Sequence, residues 1–237
     1  TYLNRHCIKR LILKLIHLLY LIPYLINILI AILIALMLRS FVVEAFKIPS
    51  GSMIPTLAIG DQIFVNKYLY GVRVPFTSIR LVDFDEPQRG EVIVFICPIE
   101  PHQDYIKRVI GIPGDEIAVR NNVVRVNGQP VKRRLLGTQA FADRNNDSGR
   151  WHSFKAQVYE ETLGDNVYSV LQDGGSLSDG SNFGPTIIPE GHVFVMGDNR
   201  DHSYDSRMWG TVPIDSILGR SLFVWWSGGK DGLATDR

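Results

Sequence analysis

The sequence predicts a mostly β protein tethered by one N-terminal transmembrane helix, and three observations carry that prediction. A run of Leu and Ile from Leu11 to Leu38 contains no acid, Lys or Arg between Leu15 and Leu38. Beyond Phe41 the apolar residues fall into short alternating runs broken by Gly, Pro, Asn and Asp, which is the pattern of strands and turns. Asn121-Asn122 and Asn127-Gly128 sit between such runs, and both residue types tolerate the positive φ of a tight hairpin.

The membrane segment comes first along the chain. A hydrocarbon core of roughly 30 Å takes about 20 helical residues, so 15–38 suffices for one crossing and not for two. Pro23 is therefore read as a kink within a single helix. A cleaved signal peptide has an apolar region of only about 7 to 15 residues followed by a small-residue cleavage site, and neither is present. Arg5, Lys9, Arg10 and Lys14 precede the span, whereas only Arg39 and Lys47 follow it closely. That bias places segment 1–14 in the cytoplasm and the body on the far side of the membrane. The chain starts at Thr1 rather than Met, which leaves room for upstream sequence, including another span.

In the body the clearest strand patterns are Glu91 to Cys97, Asp104 to Ile110, Glu116 to Arg120, Val123 to Val126 and His192 to Met196. Between about Asp143 and Gly184 the periodicity fades. Asp173 to Gly184, dominated by Gly, Ser and Asp, reads as a mobile loop whose acid spacing does not fit an EF-hand. No internal repeat is evident.

Composition excludes several functions. With 237 residues and a net charge of +1, the chain has no basic surface for a phosphate backbone, so nucleic acid is not an expected partner. Cys7 and Cys97 cannot build a disulfide framework or, without a Cys/His cluster, a zinc site, and they fall on opposite sides of the membrane. No metal or cofactor is expected.

Three segments carry chemistry. Ile48 to Leu57 places Ser50 and Ser52 around Gly51 between Pro49 and Pro55. A glycine turn stiffened by flanking prolines can hold a hydroxyl exposed, although a plain juxtamembrane linker has the same composition. A serine nucleophile also needs a base. In Asp104 to Ile110, alternation puts Tyr105, Lys107 and Val109 on one face and Arg108 on the other. A lysine on an apolar face loses its proton readily, because burial disfavours the ammonium. The third segment, Met196 to Arg207, is dense in short polar residues that bond to backbone and to each other, and a hydroxyl there can orient the lysine.

In this order, after a membrane anchor, the blocks PSGSMIPTL, RGEVIVF, DYIKRVIGIPGD and MGDNRDHSYDSR resemble bacterial type I signal peptidase, also called leader peptidase, from about Arg39 to Trp226. The resemblance implies Ser52 as nucleophile, Lys107 as general base and Ser203 as the hydroxyl that bonds and positions the lysine. It implies an oxyanion hole made by the Ser50 hydroxyl and the Ser52 N–H. Tyr105, Phe95 and Val195 would pack around the lysine, Asp205 and Arg207 would form a supporting ion pair, and Asp198 and Arg200 belong to the same block. Phe46, Ile48, Pro49, Met53, Leu57, Ile63, Val94, Asp104 and Ile106 fall where the family binds its substrate.

By the same resemblance, residues 39–115 and 189–237 form a β-rich catalytic domain and 116–188 an inserted second β-domain. The implied activity is removal of N-terminal signal peptides from exported preproteins after small residues, at the outer face of the bacterial cytoplasmic membrane. Signal peptides and the phospholipid bilayer are the expected partners, with the export translocon a further candidate. Some relatives have two spans, and some carry a disulfide in the second β-domain that this chain cannot make. Two other readings stay open on sequence alone: His202 as the base of a Ser-His-Asp triad, and a tethered β-domain that binds exported chains without cutting them.

Overall fold

The computed structural model describes residues 20–34, 43–73, 80–82, 85–144, 149–173, 180–229 and 232–233. It divides into two units, Thr1–Val42 and Val43–Arg237.

In the first unit, residues 20–34 form a helix whose apolar side chains, among them Leu25, Leu29 and Ile32, are exposed all round. A helix apolar on every side is built for an apolar surrounding. At 1.5 Å per residue it is about 22 Å long, less than a hydrocarbon core. Among the described residues no helix is long and apolar enough to cross a membrane. The expected span over 15–38 continues past both ends of this helix. Residues 15–19 and 35–38 lie outside the described residues, as do segment 1–14, Arg39, Phe41 and Val42.

The second unit is built on a seven-stranded antiparallel sheet with the spatial order Val43–Lys47, Gln62–Asn66, Ile217–Trp226, Val92–Ile96, Asp104–Gly111, His192–Met196 and Val212–Pro213. Its central strands are covered on both faces. Ile93, Phe95, Val109 and Val195 join one apolar cluster, while Val94, Ile63 and Val65 join another on the opposite face.

Residues between Glu116 and Ile187 build two further sheets. Glu116–Arg120, Val123–Val126 and Gln129–Pro130 form a meander beside Phe183–Ile187. Lys132–Arg144, Trp151–Leu163 and Asn166–Gln172 form a long three-stranded ribbon. The meander turns where the sequence places them. Asn121 and Asn122 have φ of 49° and 62°, Asn127 and Gly128 of 52° and 75°, the positive pairs that suit two-residue hairpins.

The five expected strands are present, three with the expected ends, while Val92–Ile96 is one residue shorter at each end than expected and Asp104–Gly111 one residue longer. The fading of pattern between Asp143 and Gly184 does not mark loss of structure, because Trp151–Leu163 and Asn166–Gln172 fall within it and Phe183–Ile187 begins at its end. Lys132–Arg144 is mostly exposed, and on the other two ribbon strands Glu161 and Gln172 are buried beside Val158 and Leu171 while Trp151 and Val167 are exposed, so hydrophobicity does not follow burial closely enough to alternate. Residues 174–179, at the centre of the expected loop, lie outside the described residues.

Candidate active site

Ser52 lies in a single 3₁₀ turn, Gly51–Met53, reached from the edge strand Val43–Lys47 through Ile48, Pro49 and an extended Ser50. Two contacts fix this turn from behind. The Asn199 side-chain amide donates to Gly51 O at 3.1 Å, and the Asn199 backbone N–H donates to Ser52 O at 3.1 Å. From the other side the Asp143 carboxylate, carried by the long ribbon, presses on Gly51, where a Cβ would overlap it. A side chain at position 51 would therefore have to displace the Asp143 carboxylate.

Lys107 reaches the turn from the centre of the sheet. It is only 4% exposed, and its Nζ donates to Ser52 Oγ at 2.7 Å. Burial pulls its ammonium down to about 8, against the opposing pull of Asp205 and Asp198. The alternation read from sequence holds, since Tyr105 and Val109 share an apolar cluster with Phe95 and Val195, and the Tyr105 ring centre is 5.4 Å from Nζ. Ser50 Oγ stands 3.4 Å from Ser52 Oγ. The two hydroxyls and the amine thus form one group.

The polar loop after His192–Met196 is anchored by three buried ion pairs. Asp198 takes two bonds from Arg108, at 2.8 and 2.6 Å, and one from Thr56 Oγ1 at 2.5 Å. Asp205 takes Arg207 Nε and Nη2 at 2.8 and 2.9 Å, and the Gly197 N–H at 3.0 Å. Burial works to raise the Asp205 carboxyl, but the Arg207 guanidinium and these hydrogen bonds outweigh it and hold it below the ordinary carboxylate range. Arg200, 2% exposed, pairs with Glu161 of the ribbon at 2.5 and 3.1 Å.

Two expectations fare differently. Ser203 is buried beside the Ser52 backbone, since a Cβ at Gly197 would strike both Ser203 and Ser52 O. The expected bond from Ser203 to Lys107 is not formed: among the described residues Ser203 Oγ makes no hydrogen bond of good geometry, although it lies close enough to Asp205 to help hold that carboxyl low. His202, the alternative base, turns to the ribbon. Its Nε2 is 2.9 Å from Asp173 Oδ2, and its ring lies against Phe154 at 5.2 Å.

A cavity of about 470 Å³ opens over Ser52 and Lys107. Of the residues expected to bind substrate, Ile48, Pro49, Met53, Asp104 and Ile106 line it. Phe46, Leu57, Ile63 and Val94 do not, and pack instead behind Ile48, Met53 and Ile106 as part of one apolar cluster. Burial, then the Glu44 carboxylate, push Asp104 above the ordinary carboxylate range. A larger cleft of about 960 Å³, lined in part by Arg89, Tyr168 and Arg220, shares no lining residue with this cavity. Among the described residues no His, Cys, Asp or Glu group is placed to hold a metal ion.

Sheet pairing leaves one edge open beside the cavity. Val92–Ile96 pairs with Asp104–Arg108 along one side, but His192–Met196 begins to pair on the other side only at Arg108. Among the described residues, Asp104 to Lys107 therefore has no strand on its second side.

Sequence reasoning missed Asn199, Thr56, Arg108, Glu161 and Asp143. Asn199 stands inside a block already marked by its density of polar residues. The partners of the others are 39 to 142 residues away along the chain, so no local pattern announces them.

Comparisons with known proteins identify the family. Residues 21–226 match the family model described as signal peptidase, peptidase S26. The chain is similar to signal peptidase I of Pseudomonas fluorescens, 40% identical over 205 residues that cover 81% of this chain and 67% of the relative. It is similar also to signal peptidase I of Pseudomonas aeruginosa, 41% identical over 202 residues with the same two shares. A crystal structure of a signal peptidase I from Enterococcus faecalis V583 matches with 23% identity and a TM-score of 0.35, covering 60% of this chain and all of that one. With a family model spanning most of its length and relatives this similar, the chain belongs to the signal peptidase family, peptidase S26.

Proposed function

We propose that this chain is a membrane-anchored serine endopeptidase that removes signal peptides from exported preproteins with a Ser52–Lys107 dyad. The observation that carries the reading is the 2.7 Å bond between Ser52 Oγ and a lysine whose burial brings its pKa within reach of neutrality. Neutral Lys107 takes the Ser52 proton as Oγ attacks the scissile carbonyl. The Ser50 hydroxyl and the Ser52 N–H receive the oxyanion. As the tetrahedral adduct collapses, the Lys107 ammonium returns its proton to the departing amine, and water then frees the acyl-enzyme by the same base. Every step uses this chain's own groups.

An extended preprotein segment adds as a strand between the open edge at Asp104–Lys107 and the Ile48–Ser50 approach, with small residues fitting the cavity at the first and third positions before the cut. Residues 116–188 act as an inserted β-domain, a division supported by the seven-stranded sheet drawing all its strands from outside that range. The apolar segment 15–38 anchors the chain in the cytoplasmic membrane with its N-terminus inside and its body outside, supported by the charge bias and by the all-round apolar helix at 20–34. The translocon is a candidate partner of such an enzyme.

The test is cleavage of a signal-peptide substrate by the full chain in detergent or vesicles, with wild type beside Ser52→Ala. Site-specific cutting by wild type and none by the variant supports the reading. Binding without cleavage by wild type would leave a tethered binding domain in its place.

A further inference from the structure

We infer that Asn199 is the positioning residue that aims the Ser52 N–H into the oxyanion hole, an inference that rests on the Ser52 reading above. In a trans peptide the C=O and the next N–H point in opposite directions within one rigid plane. The Gly51–Ser52 bond is not among the cis peptides of this chain, so fixing Gly51 O also fixes the direction of the Ser52 N–H.

Gly51 O is held from the buried side by two donors, Asn199 Nδ2 at 3.1 Å and the Ile54 N–H at 3.2 Å. Asn199 is 1% exposed, whereas Ser52 lines the cavity. With Gly51 O turned inward, the Ser52 N–H is turned outward, toward the side where substrate enters. The Asn199 backbone N–H holds Ser52 O at 3.1 Å, so the peptide planes on both sides of Ser52 are pinned by the same residue.

The residues on either side of Asn199 are themselves held. Leu171 N–H donates to Asp198 O at 2.8 Å, Asp198 is clamped by Arg108 and Thr56, and Arg200 is locked to Glu161. A side-chain amide suits this task because it offers a neutral donor of fixed direction. A carboxylate of the same shape would repel the Gly51 carbonyl and release the plane.

The effect belongs to the transition state. A misaimed oxyanion donor weakens stabilisation of the adduct more than it weakens ground-state binding of an extended chain, and losing one such donor outright costs on the order of 100- to 1,000-fold in kcat. Releasing the plane rather than deleting the donor should cost roughly 10- to 100-fold.

The experiment measures kcat and KM of wild type, Asn199→Asp and Asn199→Ala on one signal-peptide substrate, at equal folded fraction judged by melting temperature. Alongside these run the pH dependence of kcat/KM and the affinities for a substrate-like peptide aldehyde and for an uncleavable peptide. The expected result is a fall in kcat with KM within about threefold, because the lost interaction is made only in the transition state. Aldehyde affinity falls in step with kcat and uncleavable-peptide affinity does not; in Asn199→Ala, which adds no charge near Lys107, the acidic limb of the pH profile stays in place, whereas the new carboxylate of Asn199→Asp adds to the pull of Asp205 and Asp198 and moves that limb upward. Unchanged kcat in both variants, a displaced acidic limb in Asn199→Ala, or equal weakening of aldehyde and uncleavable peptide would overturn the inference. Failure of both variants to fold would make Asn199 a structural residue and overturn it too. If Ser52→Ala still cleaves, it is the dyad that fails, which these outcomes keep separate.

Discussion

Lys107 Nζ and Ser52 Oγ meet at 2.7 Å although 55 residues separate them along the chain. The contact exists because the strand Asp104–Gly111 runs through the middle of a sheet while the Ser52 turn is clamped over its open edge. If the dyad acts as one unit, removing either member removes nearly all the activity. Ser52→Ala and Lys107→Ala should each reduce cleavage by about 1,000-fold or more while leaving the melting transition in place. Lys107→Arg should fail equally, since a guanidinium stays protonated and cannot accept the serine proton. Substantial turnover by either lysine variant would remove Lys107 from the mechanism, and its loss in His202→Ala would restore the histidine.

The pH dependence follows from the same burial. A base must be neutral to act, and Lys107 is brought down to about 8 by desolvation. The rate should therefore climb through that value, with kcat/KM at pH 9 roughly tenfold above pH 7. Stability moves in the same direction. The folded-state pKa lies below the ordinary 10.5, so between about 8 and 10.5 the unfolded chain holds a proton the folded chain has lost, and raising the pH favours the folded form. A pH–rate profile flat between 7 and 9 would contradict a titrating Lys107.

Ser203 presents a separable question. Among the described residues its buried hydroxyl makes no well-formed hydrogen bond and only a weak approach to Asp205, so removing it strands no strongly bound partner. Ser203→Ala should therefore leave the melting temperature unchanged or slightly raised. If the hydroxyl turns to Lys107 once the ammonium forms, kcat should still fall, by about 10- to 100-fold, with little change in KM. Unchanged kcat would place Ser203 outside the reaction.

The Arg200–Glu161 pair joins the ribbon to the polar loop with both side chains 1% exposed. Burial opposes the Arg200 charge, and the Glu161 carboxylate overcomes it and raises the guanidinium further. Removing one partner strands a charge in the core, a loss of about 3 to 5 kcal/mol, whereas replacing both with apolar groups of similar size is close to neutral. Glu161→Leu should melt well below wild type and Glu161→Leu with Arg200→Met should recover. Equal destabilisation of the single and double variants would show that the pair contributes more than its charge balance.

How far the sequence discloses all this depends on the physics at each position. The meander at Glu116–Val126 and the strand His192–Met196 show their limits because one period-2 pattern and a few turn residues determine them. The ribbon gives no such signal, since it buries Glu161 and Gln172 and exposes Leu135, Trp151 and Val167, so its apolar residues do not mark one face. Lys107 was legible as a buried lysine from its neighbours Tyr105 and Val109. Its partner was not, because strand periodicity says nothing about which distant turn crosses the sheet edge. Asn199 and Asp198 sat in a conspicuous polar block, yet only the folded chain shows that one clamps Gly51 and the other Arg108.

The last prediction concerns the end of the strand Ile217–Trp226. Leu222, Phe223, Val224, Trp225 and Trp226 are all exposed, where a strand with one buried face would hide every second residue. Phe64 stacks on Trp225 at 5.3 Å and meets Phe223 edge-on at 5.6 Å, so the apolar patch spans two strands and is ordered. Contiguous apolar surface of this kind marks a contact with another molecule or a bilayer, and paired tryptophans favour the headgroup region. We predict that the patch rests in the membrane surface when the chain is anchored. In vesicles containing lipids brominated on their acyl chains, tryptophan fluorescence of the full chain should be quenched. Trp225→Phe with Trp226→Phe should abolish most of the quenching, because Trp151 and Trp209 are placed elsewhere, on the ribbon and in the cluster behind Phe95. Quenching that persists in the double variant, or none in wild type, would show that this surface faces water or a protein rather than lipid.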